Sequence, residues 1–484
     1  MDSQTHPLDP AGDGPPSPHV VVVGGGIAGL AAAHAVLSRV PAVRVTVLEG
    51  AARTGGKLRL GELAGQRVDL GAEAMLNRRP EAVDLARAVG LADSLVYPKS
   101  TAAGVWTRGA VRRLPRNVMG VPADLAGLAA SGIVERPGVS RARLERTRPR
   151  LDVSQDVGIG ALVAQRVGGE VRDRLVEPLL GGVYAGRADE LSLHATVPSL
   201  VPAIAEYGSL LAAAEAITDQ SAGAEAVPVF AGIDGGVGRL AGATEAAIRA
   251  AGGVIRCGAT VREIIATGAG FRVVVGPTIA AETVEADAVI VAVPATAAAR
   301  LLRDAAPRAA SELSGIDYAS MAIVTVALRA SETVGDLQGS GFLVPPVDGR
   351  QIKAATYSTG KWGWLAGELV VIRCSIGRYG EERQLQHEDA ELVQAALADL
   401  REAVGLRGPV VDTTVTRWGG ALPQYTVGHL DRVRRVRDAV ALVPGLAVCG
   451  AAYDGLGIPA CIATGRLAAT RVVDHLRPNE TMQP

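Results

Sequence analysis

HVVVVGGGIAGLAAAHAVL at residues 19–37, followed by VRVTVLEG at 43–50, is the stretch that decides the fold. Residues 19–23 form a short apolar run closed by three glycines, which reads as a strand buried in a parallel sheet. Residues 27–39 carry Ala, Leu and His at helical spacing without a breaker, and 43–48 alternate as a second strand that stops at Glu49. Strand, glycine turn, helix and strand within about 30 residues make a βαβ unit. The turn is Gly24-x-Gly26-x-x-Gly29. Gly24 allows the tight bend, Gly26 lets the backbone approach a pyrophosphate, and Gly29 lets helix and strand pack closely. Gly25, Ile27 and Ala28 complete the loop, and the helix N-terminal N–H groups face the phosphate oxygens. Glu49, with Gly50 after it, stands where ribose hydroxyls are accepted. These residues predict an adenine dinucleotide site.

Around this unit the composition is that of a globular protein: 484 residues, 48% hydrophobic and 20% charged, which excludes wholesale disorder. The length corresponds to about three domains and buries a core without disulfides or structural metals. Lys plus Arg total 49 against 50 acids, so no basic excess recruits nucleic acid. Cys257, Cys374, Cys449 and Cys461 are scattered, with no C-x-x-C pair and no His at ligand spacing. That pattern predicts reduced thiols, no metal site and a cytoplasmic setting. Residues 1–18 read as a disordered leader rather than a signal peptide. No stretch approaches ~20 clean apolar residues, so no transmembrane segment is expected, while peripheral contact with the inner face of a membrane stays open.

The nucleotide fold resumes far along the chain: a strand at 227–233, a Gly235-Gly236 turn, a helix at 237–251 and strands at 254–261 and 271–275. A buried strand at 286–294 and a short strand into a glycine loop at 446–450 complete it, with a helix at 460–476. The predicted class is α/β. A Rossmann-type domain is assembled from 19–79, 226–310 and 436–484, with a helical insertion at 80–225 and a β-rich α+β substrate domain at 311–435. The helical insertion carries Arg136, Arg141, Arg143, Arg146, Arg148 and Arg150. Such a run reads as a solvated surface or as a contact for anionic lipid or a partner.

Arg53-Thr54-Gly55-Gly56-Lys57-Leu58-Arg59, directly after the acid, resembles the R-x-GG-[KR] extension of FAD-dependent amine oxidase-like flavoproteins. Gly450 through Pro459 resembles the second flavin contact of that superfamily. Three blocks are similar to the protoporphyrinogen/coproporphyrinogen oxidases: 70–76 (LGAEAML), 177–186 (EPLLGGVYAG) and 341–345 (GFLVP). So are 416–418 (TRW), 423–429 (PQYTVGH) and 453–461, in the family's order. The resemblance spans nearly the whole chain. Gly360-Lys361-Trp362 and residues 372–378 look most like the Gram-positive, coproporphyrin III-forming branch.

The resemblance implies non-covalent FAD and oxidation of coproporphyrinogen III in haem biosynthesis by three two-electron steps, with O2 as acceptor and H2O2 as product. It implies FAD contacts at Arg53, Gly56, Lys57, Gly71, Ala72, Glu73, Ala74, Val261, Trp418, Gly450, Leu456, Gly457 and Ile458. Trp418 would pack beside the isoalloxazine and the Val261 backbone against the adenine. Substrate contacts fall on Arg79 and Leu343, with Arg187, Lys361 and Arg378 as further cations for propionates; the plain alternative for Arg79 is a solvated helix start. No residue is expected to act as a general base, and His429 and Tyr425 are expected to be structural. Ala72 and Ala74 depart from the Pro and Ser more usual there. A haem-pathway enzyme such as a ferrochelatase is an implied partner. Protoporphyrinogen IX oxidase, flavin amine oxidase and a non-catalytic flavin or tetrapyrrole carrier remain open. Against the amine oxidase, aromatics are only 3% of the chain, and only Trp418 and Tyr453 are candidates for a ring cage.

Overall fold

Valine fills four successive positions after His19 because the strand His19–Val23 lies at the centre of a five-stranded parallel sheet, every residue buried. The order is Val254–Arg256, Arg44–Leu48, His19–Val23, Ala288–Val291, Leu446–Val448. The computed structural model describes residues 17–223 and 228–477, so the leader expected at 1–18 lies almost wholly outside the described residues. Val20 and Val22 face one core, with the helices Ile27–Leu37, Arg239–Ala250 and Ile458–Leu476. Val21 and Val23 face the other, beneath the antiparallel strands Val261–Thr267, Gly270–Val275 and Glu282–Ala286. The first and last helices approach closely because Gly465 lacks a side chain; a Cβ there would meet the Ala28 carbonyl oxygen at 2.2 Å.

A second sheet has seven strands, in the order Val410–Pro423, Tyr318–Arg329, Leu369–Ile376, Ile352–Tyr357, Gly341–Leu343, Ala103–Thr107, Ala110–Arg113. One face packs on the helix Asp389–Val404, whose first turn is held by a reciprocal capping box between Glu388 and Glu391. The opposite face meets the hairpin Leu60–Leu63/Gln66–Asp69 through Leu63, Val68, Leu70 and Trp362.

Two expectations need correction. The range 80–225, read as helical, contains the hairpin Ala103–Thr107/Ala110–Arg113, which adds to the edge of the seven-stranded sheet by parallel pairing with Gly341–Leu343. Its two-residue turn has positive φ at both Arg108 (53°) and Gly109 (75°), the primed geometry that matches strand twist. Arg-Gly is a weaker turn signal than Asn-Gly, and the strand partner is more than two hundred residues away in sequence. The strand read at 227–233 is observed at Phe230–Ile233, and it does not join the parallel sheet. It pairs antiparallel with Met75–Leu76 and Leu95–Val96.

The arginine run is largely tied to the protein itself. Arg141 and Arg148 both donate to the Gln165 carbonyl at the end of the helix Ile159–Arg166. Arg150 caps the carbonyls of Ala205 and Glu206 at the end of Leu200–Tyr207, and Arg146 pairs with Glu215. Cations at helix C-termini satisfy orphan carbonyls and oppose the helix dipole. Among the described residues no single helix is long and apolar enough to cross a membrane; one pair, Leu200–Tyr207 with Leu210–Gln220, is bent by 116°.

Candidate functional site

The helices Ile27–Leu37 and Ile458–Leu476 each follow a strand of the same parallel sheet, so both N-termini open on its carboxyl edge. Ligands of open α/β sheets bind at that edge. The glycines divide their labour there. Gly24 has φ 108°, and a Cβ on it would lie 2.6 Å from the Ala292 carbonyl oxygen. A Cβ on Gly29 would lie 2.0 Å from the Gly24 carbonyl oxygen. At Gly26, the cap of the first helix, a Cβ would meet no protein atom within 4 Å. The first and third glycines are needed by the protein's own packing, while the second faces space the protein leaves open.

The Glu49 carboxylate accepts from Gly25 N at 2.7 Å and Ala51 N at 2.8 Å, bracing the glycine loop against the second strand. A carboxylate has about four acceptor positions, so capacity for ribose hydroxyls remains. The Glu49 and Ala51 carbonyls accept from Ala259 and Gly258, which brings Gly50 and the strand starting at Val261 beside the acid. Gly55 N donates to the Gly25 carbonyl at 2.8 Å, folding the Arg53–Arg59 extension back on the loop. Arg53 donates to the Thr54 and Gly56 carbonyls, so its guanidinium supports its own turn.

At the flavin-side segment, the Lys57 carbonyl accepts from Ala72 N, and a Cβ on Gly71 would collide with that oxygen at 1.9 Å. Trp418 is fixed by Nε1 donating to the Leu70 carbonyl at 3.2 Å and lies against Gly71. From the C-terminal side, Gly450 (φ 125°) has no atom within 4 Å of a Cβ position. Gly457 caps the last helix in extended conformation, followed by the buried Ile458. Leu456 packs against the helical region. The loop between is latched by Tyr425, whose hydroxyl donates to the Ala451 carbonyl at 2.6 Å and accepts from Gly455 N at 2.9 Å. Tyr425 stacks on His429 with ring centroids 3.9 Å apart, and burial pushes that imidazole down to about 4, so it stays neutral. Two glycine cradles at two helix N-termini, with an indole fixed against Gly71, fit a dinucleotide flavin. Burial also pushes the nearby Cys461 thiol up to about 11, against the pull of Lys57 and Arg79, which leaves it a poor nucleophile for covalent attachment.

Glu73 and Lys361 were expected on cofactor and substrate respectively; their side chains instead meet each other. Glu73 pairs with Lys361 at 2.7 Å and Arg373 at 2.6 Å and accepts from Ser358 at 3.0 Å. Burial opposes ionisation, yet the two cations hold the Glu73 carboxyl well below the usual carboxylate range. This buried cluster bolts the 70–74 segment to the seven-stranded sheet, and it leaves Lys361 committed to a carboxylate within the protein. Arg373 and Ser358 are the partners that sequence reasoning missed. The signal for Arg373 was a charged residue inside the apolar strand LVVIRCSI, since a buried charge implies a partner.

The remaining substrate candidates fall into two places. Leu343 approaches Gly182, where a Cβ would lie 3.2 Å from Leu343 Cδ2. Arg378 donates to the Val344 carbonyl at 3.2 Å, and Arg187 lies beside Gly380. Tyr379 N donates to the Ala185 carbonyl at 2.7 Å, which joins these strand ends to the helix Glu177–Tyr184. Arg79 is not among them. It stands at the N-cap position of the helix Pro80–Ala88, pairs with Glu81 at 2.7 Å, and acts electrostatically on Cys461.

Residues 27–473 match the family of flavin containing amine oxidoreductases. The chain is 35% identical over 465 residues to the coproporphyrinogen III oxidase of Mycobacterium tuberculosis, covering 94% of this chain and 97% of that one. It is 29% identical over 469 residues to the coproporphyrinogen III oxidase of Bacillus subtilis, at 95% and 98% coverage. A solved structure of an Exiguobacterium protein superposes with TM-score 0.84 at 29% identity, covering 94% of this chain and 99% of that chain. The cyclohexylamine oxidase of Brevibacterium oxydans shares the fold at TM-score 0.67 and 17% identity, covering 95% of this chain and all of that one.

Proposed function

This chain belongs to the flavin containing amine oxidoreductase family, and from that membership we propose that it is an FAD-dependent oxidase converting coproporphyrinogen III to coproporphyrin III in haem biosynthesis. The observation that carries the reading is end-to-end similarity to coproporphyrinogen III oxidases, at 35% identity over 94% of the chain. Six electrons and six hydrogens leave the macrocycle in three two-electron oxidations, and three O2 become three H2O2.

Bound FAD supplies the two-electron acceptor. The chain's part is to bind, orient and exclude water. Gly26 and Gly457 present backbone N–H groups at two helix N-termini, where anionic phosphate and electron-rich ring edges are favoured. Glu49 binds ribose hydroxyls, and Trp418, anchored on the Leu70 carbonyl, forms a rigid wall. Leu343, packed on Gly182, would offer the macrocycle an apolar surface, and Arg187 and Arg378, just past the neighbouring helix and strand ends, would take propionates. No side chain is assigned as a general base; pyrrole N–H protons pass to water.

The test is anaerobic reduction of the bound flavin by coproporphyrinogen III and protoporphyrinogen IX, side by side. Coproporphyrinogen carries four propionates against two, and two extra partly desolvated contacts predict a kcat/KM about tenfold higher. A higher value for protoporphyrinogen would reverse the substrate assignment, a result for which the 28% identical protoporphyrinogen oxidase of Bos taurus provides the precedent. Reduction by neither would overturn the reading.

A further inference from the structure

Trp362, 1% exposed, packs between the hairpin Leu60–Leu63/Gln66–Asp69 and the seven-stranded sheet, and its indole Nε1 has no hydrogen-bond partner among the described residues. The edge of its six-membered ring lies on Gly232, where a Cβ would meet Cζ3 at 2.7 Å, and the Lys361 ammonium stands over the ring, 5.1 Å from its centroid. The Nε1–H, on the other edge of the indole, points away from Gly232. Arg373, 8% exposed, has a similar orphan. Its two terminal nitrogens donate to Glu73 and to the Gly71 carbonyl, while its Nε–H finds no acceptor. Thr325 Oγ1, directly across from Arg373 on the adjoining strand, is a third. Half of the six buried side-chain polar atoms without a partner among the described residues thus belong to this one face of the sheet. Buried polar groups are almost always satisfied, and such a concentration calls for an explanation.

The same face holds a cavity of about 10 Å³, lined by Trp362 and Arg373 together with Asp69, Glu73 and Ser358. One water molecule needs ~10–15 Å³ by this measure, and two to four polar partners. Both acids keep acceptor capacity. Asp69 takes one N–H on each oxygen, from Gly238 and Val237, each at 2.9 Å. Glu73 takes three donors, Lys361, Ser358 and Arg373, out of about four acceptor positions. Burial pushes the Asp69 carboxyl up to about 6 against the pull of its two N–H donors and of Arg373, as befits a carboxylate short of donors. The lining also selects the ligand. An anion would suit the indole and guanidinium N–H groups but would lie against two carboxylates. A cation would suit the carboxylates but would face two N–H groups. Water accepts from the one pair and donates to the other, and the volume admits nothing larger.

We propose that this cavity binds one water molecule as a fixed part of the fold, accepting from Trp362 Nε1 and Arg373 Nε and donating to Asp69 and Glu73. The site joins three elements around the 70–74 segment: the hairpin that ends at Asp69, the turn into the helix Arg239–Ala250 that Asp69 holds, and the seven-stranded sheet that carries Arg373. It extends the Glu73 cluster beyond its ion pairs, and it does not depend on the porphyrinogen reading.

The test is a crystal structure of the full-length holoenzyme, refined to a resolution at which buried waters are ordered. One peak is expected in the cavity, within about 3.2 Å of Trp362 Nε1, of Arg373 Nε and of an oxygen of Asp69 or Glu73. A cavity without density, a peak that reaches neither N–H group, or bromide taking its place on soaking, read by anomalous scattering, would each overturn the site. A second measurement needs no crystal. In the deuterated holoenzyme, the indole N–H resonance of Trp362, identified by its loss in Trp362→Phe, should show a nuclear Overhauser cross-peak with the water line. Should Trp362→Phe not fold, phenylalanine variants of the three other tryptophans assign the resonance by elimination. A Trp362 resonance without that cross-peak contradicts a water held by the indole.

Discussion

Gly26→Val separates what the glycine loop does for the fold from what it does for the cofactor. At Gly26 the backbone is extended (φ −69°, ψ 171°), open to any residue, and a Cβ meets no protein atom within 4 Å. The unliganded protein should lose only the difference between Gly and Val at a helix cap, about 1 kcal/mol or less. FAD binding should suffer much more. The valine methyls enter the space reserved for the pyrophosphate, an overpacking cost of about 1–3 kcal/mol. They also hold the phosphate off charge-assisted N–H donors that contribute about 1.5–3 kcal/mol. Together these predict a 10²- to 10⁴-fold weaker Kd, about 1.4 kcal/mol per decade. Flavin fluorescence quenching on titrating the apoprotein gives the Kd, and circular dichroism melting gives the fold. Gly29→Ala is the control with the opposite partition: its Cβ would lie 2.0 Å from the Gly24 carbonyl oxygen, so the fold itself should fail. The reasoning is refuted if folded Gly26→Val binds FAD within threefold of wild type, or if it unfolds as Gly29→Ala does.

Three other outcomes are expected. Glu73→Gln should destabilise the protein by about 3–5 kcal/mol in urea unfolding, because Lys361 and Arg373 are left buried without their anion. Since the folded Glu73 carboxyl lies below its ordinary value of 4.5, its contribution should be full above that pH and lost as pH falls through the folded value. The acid limb of the wild-type stability curve should therefore flatten in Glu73→Gln, and an unchanged limb would refute the sign. Tyr425→Phe removes both hydrogen bonds that latch 451–455; flavin off-rates should rise about fivefold to tenfold, with the melting temperature only a few degrees lower. Heat or acid denaturation followed by filtration should release all the flavin; colour retained on the polypeptide would refute the non-covalent assignment that the poorly nucleophilic Cys461 supports.

The backbone of the glycine loop was legible because its constraints are local. Gly24 needs a positive φ and Gly29 lies against a backbone oxygen five residues before it; each demand acts within a few residues and selects glycine directly. A strand that reads as unbroken valine can only be buried on both faces, so the βαβ unit and its acid followed as well. The charged residues were a different matter. Lys361 is as plausible a ligand for a propionate as for Glu73 when read in sequence, and only folding brings in the glutamate from 288 residues away. Arg141, Arg148 and Arg150 read as a free basic surface until the ends of two helices arrive to accept from them. Lys353 lies in a strand whose alternation looks regular, and the β-bulge there arises from pairing with Leu369–Ile376. The edge hairpin at 103–113 likewise depends on Gly341–Leu343 for its parallel neighbour. A glycine's role is set by its own backbone, whereas a charge is defined by whichever opposite charge, carbonyl or ligand the chain's long-range register places against it, and that register is a property of the tertiary structure.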